Sequence, residues 1–259
     1  MIEIAVAAAR TAGEIQRRHR GGAFAVRHKG AVDLVTEVDL ACEEAIREVL
    51  ARGAPGTAVL GEETGATGSN SDTGRWVVDP LDGTTNFAHG YPVFCVSIAW
   101  EEAGETVLGV VYDPTRDELF QAERDRGALC NGARIRVSAT PLLADSILAT
   151  GFPYDRATNP RNYAEFRHLT QRTQGVRRSG SAALDLAYVA CGRLDGFWEP
   201  GLQPWDLAAG CLLVIEAGGT VSGPRGQPFT PYDGDVAASN GSLHAALLEA
   251  LRDTTGCSP

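Results

Sequence analysis

The run at residues 76–87, Trp-Val-Val-Asp-Pro-Leu-Asp-Gly-Thr-Thr-Asn-Phe, constrains this chain more than any other stretch. Trp76, Val77 and Val78 are apolar and β-prone, so they read as a buried strand. That strand would deliver Asp79 to its C-terminal end, with Pro80 stopping it. Asp82 then stands within reach of Asp79, and Gly83 lets backbone approach a ligand closely. Thr84 and Thr85 add hydroxyls and free amides. Two carboxylates, a glycine and two threonines at a strand end suit a hard cation and a phosphate. Asp, Pro and Gly are also turn residues, so an ordinary acidic turn competes with this reading.

Three further acidic segments bear on the choice. Residues 29–39 (Lys-Gly-Ala-Val-Asp-Leu-Val-Thr-Glu-Val-Asp) end with Asp39 at the start of a helix. Residues 60–64 (Leu-Gly-Glu-Glu-Thr) follow a short apolar stretch, and residues 204–210 (Pro-Trp-Asp-Leu-Ala-Ala-Gly) open another helix. Taken singly, each acid has a plain explanation. Asp39 and Asp206 favour a helix dipole, and Glu62 and Glu63 make a solvated pair.

Together the four segments resemble the inositol monophosphatase family of magnesium-dependent, lithium-sensitive phosphatases. The resemblance runs from about Lys29 to about Ser239. Asp-Pro-Leu-Asp-Gly-Thr-Thr-Asn-Phe is the family's specific motif. Trp205-Asp206, with Glu216-Ala217-Gly218-Gly219 behind it, is the second signature, and residues 151–154 (Gly-Phe-Pro-Tyr) resemble bacterial members.

The resemblance implies a layered α-β-α-β-α sandwich of α/β class with the site in a cleft between two halves. It implies Mg²⁺ held by Glu62, Asp79 and the Leu81 carbonyl at one position, and by Asp79, Asp82 and Asp206 at another. Thr84 with Glu62 would orient the attacking water, with Asp39 acting through Thr84 and no covalent enzyme intermediate. The Gly83 and Thr84 amides would hold the phosphate at a helix N-terminus. Asp82, Asp206, Ser181, Ala182, Ala183 and Glu199 would face the rest of the substrate. Gln203 stands where some members carry His, and Lys29 is either a cation at the anionic site or a surface lysine. The implied substrate is a small phosphate monoester. An inositol-1-phosphatase of broad specificity is the first reading, with histidinol-phosphate phosphatase or fructose-1,6-bisphosphatase as alternatives. A homodimer is also implied. Some relatives bind the transcription machinery, which leaves a regulatory protein-binding role open.

Charge and composition exclude other classes. A formal net charge of −10 argues against non-specific nucleic-acid binding, which rests on positive charge. No apolar run approaches the ~20 residues of a membrane span, and no secretory signal is evident at the N-terminus. Cys42, Cys95, Cys130, Cys191, Cys211 and Cys257 form no Cys-x-x-Cys pair, and most sit in apolar segments. Buried free thiols in a reducing cytoplasm are the natural expectation. Rival phosphate-site motifs are missing. The acids are Asp79 and Asp82, so a dehalogenase-type Asp-x-Asp fails, and there is neither a P-loop nor a Gly-x-Ser-x-Gly elbow. The five histidines are scattered; His89, near the Asp-Gly-Thr-Thr loop, is the one to check.

Periodicity predicts helices over 2–19 and 36–51, the latter opened by a Thr36/Asp39 capping box. Strands over 93–100, 107–112 and 118–122 suggest an antiparallel sheet. The polar segment 65–74 reads as a connector or a gating loop. Beyond a boundary near Ala139, strands (147–150, 193–199, 220–222) alternate with helices (163–174, 181–190, 207–217). The expected halves are 1–139, α+β with most of the acids, and 140–259, α/β with Asp206.

Overall fold

A computed structural model describes residues 1–22, 26–28, 34–68, 74–155 and 157–254. Helix α1 (Ile2–His19) and helix α2 (Glu37–Gly53) flank a short antiparallel pair, β1 (Val26–His28) and β2 (Leu34–Thr36). An eight-stranded sheet follows, comprising β3 (Ala58–Gly61), β4 (Gly65–Thr67), β5 (Arg75–Asp82), β6 (Cys95–Glu102), β7 (Glu105–Asp113), β8 (Glu118–Glu123), β9 (Gly127–Cys130) and β10 (Ala133–Arg134). Its spatial order is β10-β9-β8-β7-β6-β5-β3-β4, antiparallel except where β3 runs parallel to β5. The five-residue helix α3 (Thr84–Ala88) sits between β5 and β6.

The second sheet orders as β12-β11-β13-β15-β14, from β11 (Ile147–Thr150), β12 (Gly175–Arg177), β13 (Gly196–Glu199), β14 (Thr220–Ser222) and β15 (Val236–Ser239). It is mixed: β11 is parallel to β12 and β13, and β15 is antiparallel to its neighbours. Helices α4 (Tyr163–Thr170), α5 (Ala182–Ala190), α6 (Pro204–Glu216) and α7 (His244–Asp253) accompany it.

Packing makes five layers, α-β-α-β-α. Period-2 alternation divides β6: Val96, Ile98 and Trp100 bury against α1 and α2, while Cys95 and Ala99 join the core around α5 and α6. Helices α5 and α6 form the middle layer, touching both sheets, and α4 and α7 cover the outer face of the second. The middle layer lies close because Gly109 has no side chain: a Cβ there would sit 2.8 Å from the Ala209 backbone. Apart from Asp185 in α5 and the acids at the two ends of α6, these core helices are apolar all round, as a layer enclosed on both faces requires. Among the described residues no helix is long and apolar enough to cross a membrane.

Several expectations need correction. Pro80 does not stop its strand. β5 continues to Asp82 through a register shift: Asp79 pairs with Ser97 and Asp82 with Cys95. Pro80 falls inside this one-residue bulge, where its missing N–H breaks no ladder bond. The helix expected over 163–174 ends at Thr170, because the chain must turn back to pair β12 with β11. The strand expected from Arg193 starts at Gly196, with Asp195 instead accepting the Ile147 amide at 2.7 Å. Helix α6 opens earlier than Leu207, with Pro204 in its first turn. Part of the 65–74 connector is strand β4; residues 69–73 lie outside the described residues, as do Lys29 and Cys257.

Candidate active site

The bulge in β5 sets the site. Residues three apart on a regular strand point to opposite faces. The extra residue reverses this and brings Asp82 to the side of Asp79. Gln16 of α1, fully buried, donates from Nε2 to the Pro80 carbonyl at 2.8 Å, which satisfies an oxygen in the irregular stretch. Asp206 arrives from α6. The Ser97 hydroxyl, on the residue paired with Asp79, donates to the Trp205 carbonyl at 3.0 Å and docks the helix start on the sheet. Carboxylate oxygens of Asp79, Asp82 and Asp206 then lie within 4.8 Å of one another.

Three acids this close resist ionising together. Burial, followed by the charges of Glu62, Asp82 and Asp206, pushes Asp79 well above the usual carboxylate range. Burial and then Asp82 do the same to Asp206. Asp82 is also raised by burial but is pulled back by donors: the Ser181 hydroxyl at 2.7 Å and the Ala183 amide at 2.8 Å, both from the start of α5. A divalent cation would relieve the repulsion, and an all-oxygen donor set suits a hard one.

A second constellation lies beside the first. Asp39 is the third residue of α2, and its Oδ2 accepts the Thr36 amide at 2.8 Å and the Thr36 hydroxyl at 2.5 Å. This is the expected capping box. Its Oδ1 accepts the Thr84 hydroxyl at 2.8 Å, while the Leu81 carbonyl lies 3.1 Å from the same hydroxyl. One hydroxyl proton cannot serve both acceptors fully, and a carboxylate is the stronger. Gly83 caps α3 with φ of 98°, and a Cβ there would meet the Val93 carbonyl at 2.9 Å. Glu62 is half-buried beside β5, its amide donating to the Val78 carbonyl at 3.1 Å. It stands outside the three-acid group, yet its charge reaches Asp79 and Asp206.

A model of the inositol monophosphatase family matches residues 1–255. The chain belongs to this family. Its members hydrolyse phosphate monoesters, and the family's acid-rich motifs are the segments that converge here. Inositol-1-monophosphatase of Synechocystis sp. is 49% identical over 255 residues, covering 98% of this chain and 89% of that protein. Nus factor SuhB of Pseudomonas aeruginosa is 48% identical over 260 residues, covering 97% of this chain and 96% of that one. The solved structure of inositol monophosphatase from Anabaena (Nostoc) sp. superposes with a TM-score of 0.89 at 47% identity, covering 97% of this chain and 95% of that chain.

Other residues singled out for this phosphatase fall into place unevenly. Ser181 caps α5 with its hydroxyl on Asp82, and Ala182 opens the helix. Glu199 ends β13 against Gly151, its carboxylate oxygens within 2.3 Å of where a Gly151 Cβ would lie. Burial, then the Asp185 charge, drives Glu199 well above the usual range, partly offset by Arg178. Glu199 also lines a cavity of about 530 Å³ with Asn162, Trp198 and Arg225, which none of the three clustered acids reaches. His89 is exposed and outside the acid cluster. Gln203 acts through its backbone, its amide donating to Asp206 Oδ2 at 2.8 Å. Sequence reading missed Asp185, which is 2% exposed with Oδ1 unpartnered and its pKa pushed up to about 8, mainly by burial. An acid inside the apolar run Ala182-Ala183-Leu184-Asp185-Leu186-Ala187 was the available signal.

Proposed function

We propose that the chain is a Mg²⁺-dependent inositol-1-monophosphatase of broad specificity, acting by direct attack of water. One observation carries the reading: three carboxylates within 4.8 Å of one another stand next to a Thr84–Asp39 pair. Glu62, Asp79 and the Leu81 carbonyl would hold one ion; Asp79, Asp82 and Asp206 would hold another. Bound there, Mg²⁺ would neutralise phosphoryl oxygens, lower the pKa of a bound water and stabilise the leaving alkoxide.

The chain's own groups do the rest. With its proton committed to Asp39, Thr84 Oγ1 offers a lone pair to the attacking water, which Glu62 helps orient. The Gly83 and Thr84 amides, unpaired within the first turn of α3, suit the phosphate. Ser181, Ala182 and Glu199, with Asp82 and Asp206, would contact the alcohol. Chelated enzyme should lose phosphatase activity and regain it when Mg²⁺ is restored; full activity after thorough chelation would overturn the proposal. Comparing kcat/KM on inositol, histidinol and fructose phosphates tests the substrate.

A second reading is favoured by the 48% identity to a protein named Nus factor SuhB. On it, the chain also binds a protein partner, in a role separable from catalysis. A variant lacking Asp79 and Asp82 that still performs the cellular task would support it; loss of the task would count against it.

A further inference from the structure

Helix α2 carries a second acid on the face of Asp39, four residues on, where the helical repeat stacks side chains. This is Glu43, 1% exposed. Its Oε2 accepts the Glu63 amide at 2.8 Å, and its Oε1 accepts the Thr64 amide at 3.2 Å and the Thr64 hydroxyl at 2.5 Å. The Arg47 guanidinium bonds Oε1 from Nε at 2.9 Å and also donates to the Gly65 carbonyl at 3.1 Å. Gly61 leaves room for the pair, because a Cβ there would lie 2.5 Å from Glu43 Oε1. Apart from the Arg47–Glu43 pair, which lies within α2, these bonds grip the segment just after Glu62, from Glu63 through Gly65.

We propose that Glu43 is a positioning residue for Glu62. It clamps the backbone at Glu63 and Thr64 so that the Glu62 carboxylate meets the ion shared with Asp79. One face of one helix then aims both groups that flank the attacking water: Asp39 through Thr84, and Glu43 through the Glu62 loop. A carboxylate is required, because Oε1 and Oε2 together accept three donors from the loop as well as the Arg47 cation. An amide at this place would turn its NH₂ toward donors and loosen the loop. The inference rests on the proposal that Glu62 is a metal ligand.

The test is Glu43→Gln, with Glu62→Gln as reference, followed by Mg²⁺ calorimetry on metal-free protein, thermal melting and steady-state kinetics. In Glu43→Gln, the Mg²⁺-binding event that Glu62→Gln weakens should weaken by about 10–100-fold, as when the outer partners of metal ligands are removed. Binding assigned to Asp79, Asp82 and Asp206 should hold, and high Mg²⁺ should restore much of kcat with KM little changed. A lowered melting temperature with an unchanged Mg²⁺ isotherm makes Glu43 merely structural and overturns the proposal. If Glu62→Gln leaves the isotherm untouched, the ligand assignment itself fails and the proposal falls with it. Should Glu43→Gln not fold, Thr64→Ala removes one of the same bonds from an exposed side chain. It should then shift the same binding event by about two- to fivefold, a weaker form of that outer-partner effect, and no shift overturns the proposal.

Discussion

Asp39 and Asp206 hold the same local position. Each is the third residue of its helix, and each accepts the backbone amide of its own N-cap residue at 2.8 Å. Across from them the two sites differ. Asp39 faces hydroxyls of Thr36 and Thr84, so with the Thr36 amide three donors work against the burial that still raises its pKa. Asp206 faces Asp79 and Asp82 and is left with charge it cannot disperse. A helix start thus places an acid cheaply, and what lies opposite decides whether the acid meets donors or other carboxylates.

Opposite signs on stability separate the two. Asp206→Asn should give the largest loss, at least about a hundredfold in rate, since several kcal/mol of metal stabilisation is at stake. In chelator the same variant should melt no lower than wild type, because it removes one of three repelling acids. A clear fall in metal-free melting temperature would show that Asp206 is a structural cap like Asp39.

Asp39→Asn should do the reverse. Loss of the charged acceptor of the Thr36 amide and hydroxyl should cost about 1–2 kcal/mol of stability, and the rate should drop by roughly tenfold to a hundredfold through Thr84, at or below the range for direct proton-transfer groups. Mg²⁺ affinity should stay near wild type. Thr84→Val should lower the rate similarly, and the double variant should be little worse than either single one, as for residues sharing a bond. Full additivity would uncouple them.

Glu199 extends the comparison to an acid with no hydrogen-bond donor among the described residues. Glu199→Gln should raise KM for inositol phosphate several-fold with kcat little changed, the pattern for binding shared by ground and transition states. A simple aryl phosphate should react nearly as before. Equal losses on both substrates would move Glu199 into the metal or water network.

The smallest effect concerns a satisfied group at a third helix start. His244 opens α7 between the Ser222 hydroxyl, 2.8 Å from Nε2, and the Ser239 hydroxyl, 3.0 Å from Nδ1. Ser222 donates to the Gly223 carbonyl, so it accepts from Nε2–H, which leaves Nδ1 of a neutral ring to accept from Ser239. Burial favours the neutral ring and lowers its pKa below the ordinary 6.5. The unfolded chain takes up this proton first as pH falls. The His244 contribution is therefore complete above about pH 6.5 and declines below it. Melting temperatures of wild type and His244→Gln should converge between pH 7.5 and pH 5.5. A gap that widens on acidification would reverse the assigned protonation state.

Short-range chemistry explains why so much could be read from the residues alone. The Thr36–Asp39 cap, the apolar period of α1 and the strand character of β6 and β7 depend on neighbours within a few positions. Their energies are local, so residue type and spacing suffice. The acidic motif likewise pointed to Asp79, Asp82 and Asp206, which the fold brings together. It could not show that Pro80 sits in a bulge, because that depends on pairing with β6 and on the Gln16 amide reaching over from α1.

The partners of Glu43 and the surroundings of Asp185 were illegible for the same reason. In sequence Glu43 is one acid on an amphipathic helix, and only the folded chain brings the Glu63 and Thr64 amides to it. Asp185 stands out from its apolar neighbours, but its raised pKa comes from enclosure by the middle layer. The parallel pairing of β3 with β5 and the approach of Asp206 to Asp79 join distant parts of the chain. Such contacts carry a loop-closure entropy that no local pattern reveals, and they form because burying α5 and α6 between two sheets stabilises the whole arrangement. The sequence by itself determined which oxygens are available; the five-layer packing decided which of them meet.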